Sequence, residues 1–328
     1  MFRTLGLLLV ATTLSVTVAY AEDPVMGSWE GRYLTKGWEG KSPTARVIGL
    51  GGDTYRMDLM TDTEVGKMEL AGLRRGGAAA FVGQADLRDD KGVVVEVTAE
   101  MIEGKMTGRI HRKGAGDPFD IRFEMQKVFK ASPTLGATPP EGAIVLFDGT
   151  SLDAWTLRPG NPHGGSMHIV SRNTMVSKQE VGDHKLHIEF RTPYMPGDRG
   201  QGRGNSGVYV LGRYEIQVLD SYGDDPADNL CGGIYRIATP AANACLPPGE
   251  WQTYDVTFHA ARFNEAGEKT QNAEITVLHN GILIHDAVSL PRATPGGVSD
   301  KETETGPLLL QDHGDAVEYR NIWVQPLD

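Results

Sequence analysis

The chain has 328 residues and a formal net charge of −11, with 41 glycines, 18 prolines and only two cysteines. Such an acidic balance lacks the basic footprint that phosphate binding needs, so nucleic acid is not an expected partner. The abundance of glycine and proline points to many turns and few helices, in one large or two ordinary domains.

Residues 1–21 read as a secretory signal peptide, with a cationic start at Arg3, an apolar stretch from Leu7 to Val18 and a small-residue cleavage pattern at Ala19-Tyr20-Ala21. Cleavage there removes one positive charge and no acid, taking −11 to −12. No later segment approaches the roughly 18 to 20 apolar residues that span a bilayer. No cysteine sits near the cleavage point to accept lipid, so the sequence predicts a periplasmic or secreted protein without a membrane span.

Residues 22–130 carry short alternating apolar runs bounded by turn residues, which predict a small all-β domain. Its strands are Trp29 to Thr35, Ala45 to Leu50, Thr54 to Leu59, Lys67 to Leu73, Ala78 to Val82, Val93 to Glu100, Lys105 to His111 and Asp120 to Lys127. Such a series suits a small β-barrel or sandwich. Residues 131–142, rich in proline, threonine and alanine without apolar periodicity, read as a domain linker.

From 143 to 328 a second β series follows. Its strands are Ala143 to Phe147, His168 to Val170, Thr174 to Ser177, Lys185 to Arg191, Ser206 to Val210, Tyr214 to Leu219, Thr253 to Ala260, Ala273 to His279, Ile282 to Val288, Leu308 to Asp312 and Val317 to Val324. Asn280-Gly281 between two of them signals a type I′ hairpin. So many strands favour a two-sheet sandwich over one closed barrel.

The most informative stretch runs from Gly202 to Gly223. In an unbroken strand Glu215 and Gln217 share one face and Asp220 points to the other, with Ile216 and Val218 turned inward. One bulge between Gln217 and Asp220 would bring the three polar side chains together. Asn205, Tyr209 and Tyr214 add an amide and aromatic surfaces suited to a sugar ring; the plain alternative is a solvated strand face. The pattern is similar to the Glu-x-Asp-x-x-Glu strand of laminarinase-type retaining glucanases, with Gln217 at the middle aspartate and Asp220 at the acid/base glutamate. Both departures weaken a retaining pair, which must lie about 5 to 5.5 Å apart.

A wider set of motifs resembles the 3-keto-disaccharide hydrolase-like domain family. It comprises Leu146-Phe147-Asp148-Gly149-Thr150-Ser151-Leu152-Asp153-Ala154-Trp155, Asn205-Ser206-Gly207-Val208-Tyr209 and Tyr214-Glu215-Ile216-Gln217-Val218-Leu219-Asp220. Gly233-Ile234-Tyr235, Gly249-Glu250-Trp251, Asn280-Gly281 and the closing Gly306-Pro307-Leu308-Leu309-Leu310-Gln311, with His313, Arg320, Asn321 and Ile322, follow in order. The resemblance implies an all-β, concanavalin A-like two-sheet jelly roll over 143–328 and activity on sugars oxidised at C3. It says nothing about residues 22–130.

A ketone at C3 acidifies the C2 proton, so one base can form an enolate that expels the C1 substituent before water adds back. That route needs a base and donors for the enolate oxygen. Glu215 or His313 can serve as base, with Asp220 as a second acid/base or orienter. Gln311 and Arg320 are the oxygen-directed donors, and Asn205, Tyr209 and Gln217 are the remaining substrate contacts. His313 reads equally as an exposed turn residue, and Arg320 as a cross-strand partner of Glu318. Trp155 and Trp251 read as core. His184, His187 and His285 lack chelating spacing. No cofactor is implied; the aspartates between Asp220 and Asp228 leave a divalent metal open, against a plain polar loop. Cys231 and Cys245, in an oxidising compartment, predict a disulfide.

The leading expectation is an exported enzyme cleaving 3-keto-glycosides, its partner a carbohydrate substrate. The rivals are a non-catalytic, lectin-like sandwich and an envelope interaction protein.

Overall fold

The computed structural model describes residues 23–63, 65–86, 94–112, 120–157, 169–170 and 174–327. The expected signal peptide lies outside them. Within them the chain is all-β apart from one 3-10 turn, Gly200–Gly202.

Eight strands close the first unit into a barrel: β1 (Gly27–Tyr33), β2 (Thr44–Gly51), β3 (Thr54–Met60), β4 (Lys67–Arg75), β5 (Ala78–Asp86), β6 (Val94–Ile102), β7 (Lys105–Arg112) and β8 (Asp120–Val128). Alternation fills its interior: Val95, Val97, Ala99 and Met101 of β6 point inward and Thr98 and Glu100 outward. Closure between β1 and β8 depends on Gly31, where a Cβ would lie 1.8 Å from the Glu124 carbonyl oxygen.

The second unit has fourteen strands: β9 (Ile144–Phe147), β10 (Trp155–Leu157), β11 (Ile169–Val170), β12 (Met175–Val181), β13 (His184–Arg191), β14 (Ser206–Val210), β15 (Tyr214–Val218), β16 (Gln252–His259), β17 (Arg262–Phe263), β18 (Lys269–Gln271), β19 (Ala273–His279), β20 (Ile282–Leu290), β21 (Gly306–Leu310) and β22 (Glu318–Pro326). One sheet runs β10-β12-β21-β14-β15; the larger runs β11-β22-β13-β16-β19-β20, with β9 also on β22. Val208, Ile216 and Leu310 of the first share one core with Leu186, Ile188, Val256 and Ile275 of the second. Asn280 and Gly281, both at positive φ, form the expected tight turn between His279 and Ile282.

Residues 131–142, between the two units, do not hang free. Ser132 Oγ lies 2.6 Å from Thr253 Oγ1, Thr134 Oγ1 donates to Asp255 Oδ2 at 2.6 Å, and the Gly136 amide donates to Glu189 Oε1 at 2.5 Å. The segment is fastened to the outer face of the larger sheet, whose polar side chains it satisfies. The barrel is docked as well. Met26 and Ile48 belong to the two-sheet core, Tyr194 Oη donates to Asp23 Oδ2 at 2.9 Å, and Arg199 Nη2 donates to the Leu50 carbonyl at 2.7 Å.

Candidate active site

Strand register builds the site. β14 and β15 pair Gly207 with Gln217 and Tyr209 with Glu215, and the Gln311 amide donates to the Gly207 carbonyl at 2.9 Å. Val208, Val210, Ile216 and Val218 point into the core, so the alternate residues Tyr209, Glu215 and Gln217 face outward together. They line a cleft of about 170 Å³ with Gln201, Asn205, Tyr235, Pro295, Gly296, Gln311 and His313.

Glu215 is 3% exposed, although it sits on the outer side of its sheet. Burial pushes its carboxyl up to about 7, against a smaller opposing effect of the neighbouring Tyr209 hydroxyl. Its place depends on Gly207, where a Cβ would come within 2.4 Å of Glu215 Oε1. Tyr209 Oη donates to the Pro295 carbonyl at 2.9 Å and receives Gln311 Nε2 at 3.1 Å. Gln217 Nε2 donates to Asn205 Oδ1 at 2.9 Å and to the Ser206 and Val218 carbonyls at 2.8 and 3.0 Å. Asn205 Nδ2 in turn donates to the Gln201 carbonyl at 2.7 Å, and the Asn205 backbone N–H donates to Asp315 Oδ2 at 2.7 Å. These bonds fix the amide side chains before any ligand arrives. His313 stands exposed at the rim, in a turn where the Gly314 amide donates to Asp312 Oδ1 at 2.9 Å.

Two of the expected site residues lie elsewhere. β15 ends at Val218 without the bulge that would have turned Asp220 toward Glu215. Asp220 is instead buried against Arg203, 3.3 Å from its Nε, and accepts the Tyr222 amide at 3.3 Å. Burial pushes its carboxyl up to about 6, partly offset by Arg203. Arg320 belongs to β22 of the other sheet, where its Nε meets Glu189 Oε2 at 2.6 Å and its guanidinium lies 4.0 Å from the Trp251 ring centroid. Trp251 is therefore a half-buried platform for Arg320 and Arg191, whereas Trp155 is core as expected.

Cys231 and Cys245 are buried free thiols where a disulfide was expected: Cys231 Sγ lies 3.3 Å from Tyr254 Oη, and Cys245 Sγ donates to the Leu246 carbonyl at 3.4 Å. His184, His187 and His285 are all buried in the fold. The loop after Asp220 is closed by Asn243, whose Nδ2 donates to the Ser221 and Asp224 carbonyls at 2.7 and 2.8 Å. Among the described residues no group of three or more His, Cys, Asp or Glu could hold a metal ion.

Sequence reasoning passed over Tyr235, Gln201 and the Pro295-Gly296 wall. Tyr235 sat within a quoted motif, and the signal that could have singled it out is its alternation with the apolar Ile234. Pro295 and Gly296 come from a loop about 80 residues beyond β15, which no local pattern connects to it.

Residues 142–325, more than half of the chain, match the 3-keto-alpha-glucoside-1,2-lyase-like domain family. No curated protein matches. Among solved structures, a candidate glycosyl hydrolase from Parabacteroides distasonis is 35% identical, with a TM-score of 0.51 over 57% of this chain and 85% of that one. A second candidate glycosyl hydrolase from the same organism is 19% identical, with a TM-score of 0.41 over 57% of this chain and 95% of that one. This second likeness carries no argument.

Proposed function

The chain belongs to the 3-keto-alpha-glucoside-1,2-lyase-like family, and on that footing we propose that it is an exported enzyme cleaving the glycosidic bond of 3-keto-glycosides by elimination and hydration. The observation that carries this reading is that, among the described residues lining the cleft, Glu215 is the one carboxyl group. Ordinary glycoside hydrolysis uses two carboxyl groups flanking the bond. A 3-keto-sugar needs one base.

In the proposed reaction the Glu215 carboxylate takes the C2 proton, and the electrons of that C–H bond pass into a C2–C3 enolate. Collapse of the enolate restores the ketone, forms a C1–C2 double bond and releases the C1 oxygen substituent. Water then adds at C1 through its oxygen, one of its protons going to the departed alkoxide to make the free alcohol, and the proton held by Glu215 returns to C2. A carboxyl poised near neutrality suits a group that must both take and give a proton. Gln311, with one Nε2 proton on Tyr209 and one to spare, serves the enolate oxygen in this reading, Gln217 can accept from a sugar hydroxyl through Oε1, and His313 at the rim serves the departing oxygen. Asp220 and Arg320 have no part in this chemistry. We read the two sheets as a concanavalin A-like jelly roll, a reading supported by their shared core. Export rests on the sequence of residues 1–21.

The cleft's amide side chains would equally serve a lectin-like protein, and one assay separates the readings. Purified protein is incubated with a 3-keto-glucoside carrying a chromogenic leaving group, beside its unoxidised parent. Release from the oxidised sugar alone is expected. Comparable release from both would sink the proposal, and binding without release would favour the lectin.

A further inference from the structure

Residues 232–236 extend the smaller sheet beyond β15. The Gln217 amide donates to the Gly233 carbonyl at 2.9 Å, the Gly232 amide to the Gln217 carbonyl at 3.0 Å and the Tyr235 amide to the Glu215 carbonyl at 3.2 Å. Ile216 pairs with Ile234, which is fully buried, so alternation carries Tyr235 to the face shared by Glu215. The backbone there is held tightly. Ile234 exchanges hydrogen bonds with Ala238 at 3.0 Å in each direction, and Arg236 occupies the left-handed region at φ 57°. A non-glycine residue there costs of order 1 kcal/mol or more and is kept only where its surroundings enforce it. Arg292 Nη2 donates to the Arg236 carbonyl at 3.1 Å, and the Arg236 guanidinium lies 5.2 Å from the Tyr235 ring centroid.

Tyr235 is thus a half-buried ring, braced by Arg236, that still lines the cleft. Its neighbours Gln201, Asn205, Glu215, Gln217, Gln311 and His313 present polar groups. Tyr209, the other lining aromatic, is fully buried, and its hydroxyl is already engaged. A pyranose has a rim of hydroxyls and faces made of C–H bonds. It therefore needs one flat apolar partner besides polar ones.

We infer that Tyr235 is the positioning residue of this site, its ring receiving the C–H face of a single pyranose while the surrounding amides hold the hydroxyl rim. This rests on the carbohydrate reading above. The test measures kcat and KM on the chromogenic 3-keto-glucoside, together with calorimetric Kd for methyl 3-keto-glucoside in a Glu215→Gln background. Tyr235→Ala should raise KM and Kd about tenfold, with kcat changing much less, while Tyr235→Phe and Tyr235→Trp stay within about threefold of the parent. Should Tyr235→Ala unfold, Tyr235→Leu keeps the bulk without the ring and serves in its place.

Unchanged KM and Kd in the Ala or Leu variant overturn the inference. So does a Phe variant as impaired as Ala, which would make the hydroxyl the operative group. If the parent releases nothing but binds the sugar, the lyase reading fails and the Kd series alone decides on Tyr235. If it neither releases nor binds, the carbohydrate reading falls and takes this inference with it.

Discussion

Glu215 and Glu189 are both nearly inaccessible carboxylates, yet the fold treats them in opposite ways. Burial raises Glu215 from 4.5 to about 7. Burial also pushes Glu189 up, but hydrogen bonds from His187, Asn321, Gly136 and Arg320 outweigh it and hold the group at about 2. The raised group contributes stability that is fully present below its unfolded pKa and is lost as pH rises through 7; the depressed one contributes above 4.5 and is lost as pH falls through 2. At pH 8 the charge on Glu215 therefore withholds about 3 kcal/mol. Glu215→Gln should stabilise the protein at pH 8 by about 1 to 3 kcal/mol and have little effect at pH 5, as read from urea unfolding curves. Equal stability at both pH values would show that the carboxyl is well solvated. The same variant should lose turnover at least 100-fold, and the parent's kcat/KM should climb with pH through Glu215's ionisation, because a base works in its charged form. Cys231 and Cys245 carry a separate expectation: two thiols buried in the same core should join under mild oxidant, and mass spectrometry of unreduced peptides would detect the bridge. Two free thiols in protein from an oxidising compartment would refute it.

At the scale of elements, the barrel strands were legible within a few residues because each has one buried face, and a period of two is then written directly into the chain. The same rule placed Glu215 with Gln217 and sent Ile216 and Val218 inward. The bulge supposed for Asp220 is absent, because nothing in the residues after Val218 says where the ladder stops. The rule failed for Arg320 because alternation gives a face and not a sheet. The attachment of residues 131–142 was not legible for a related reason: low apolar content predicts no core, but Ser132, Thr134 and Gly136 attach through hydrogen bonds, which leave no periodic signature. That attachment is testable. Thr134→Val removes the hydroxyl that donates to Asp255 and should cost about 1 to 3 kcal/mol in a urea titration, with Thr134→Ser keeping most of it. A valine variant as stable as the parent would mean the segment rests on the sheet without holding it.

For the whole molecule, the two units differ in what they give the cleft and what they give the fold. Among the described residues every one that lines the cleft falls between Gln201 and His313, so the described barrel residues contribute none of its lining. Yet Met26 and Ile48 complete the core of the two-sheet unit, and Ser28 Oγ meets Tyr222 Oη at 2.8 Å. Residues 131–142 cover Glu189 and Asp255 on the opposite side. Division at residue 143, natural from composition, therefore cuts away a buried lattice of hydrogen bonds as well as the barrel. Thermal unfolding of residues 23–328, 131–328 and 143–328 should give melting temperatures that fall in that order. The first step reflects lost apolar burial at Met26 and Ile48, about 1.5 to 3 kcal/mol for each side chain. The second reflects polar groups left unmatched on the larger sheet, about 1 to 3 kcal/mol apiece where they stay buried. Turnover should survive the first truncation, because the cleft and its supporting bonds lie wholly within 131–328. If 143–328 melts with the full-length protein, the docked segment is ornamental; if 131–328 folds but loses activity, the barrel takes part in the function directly.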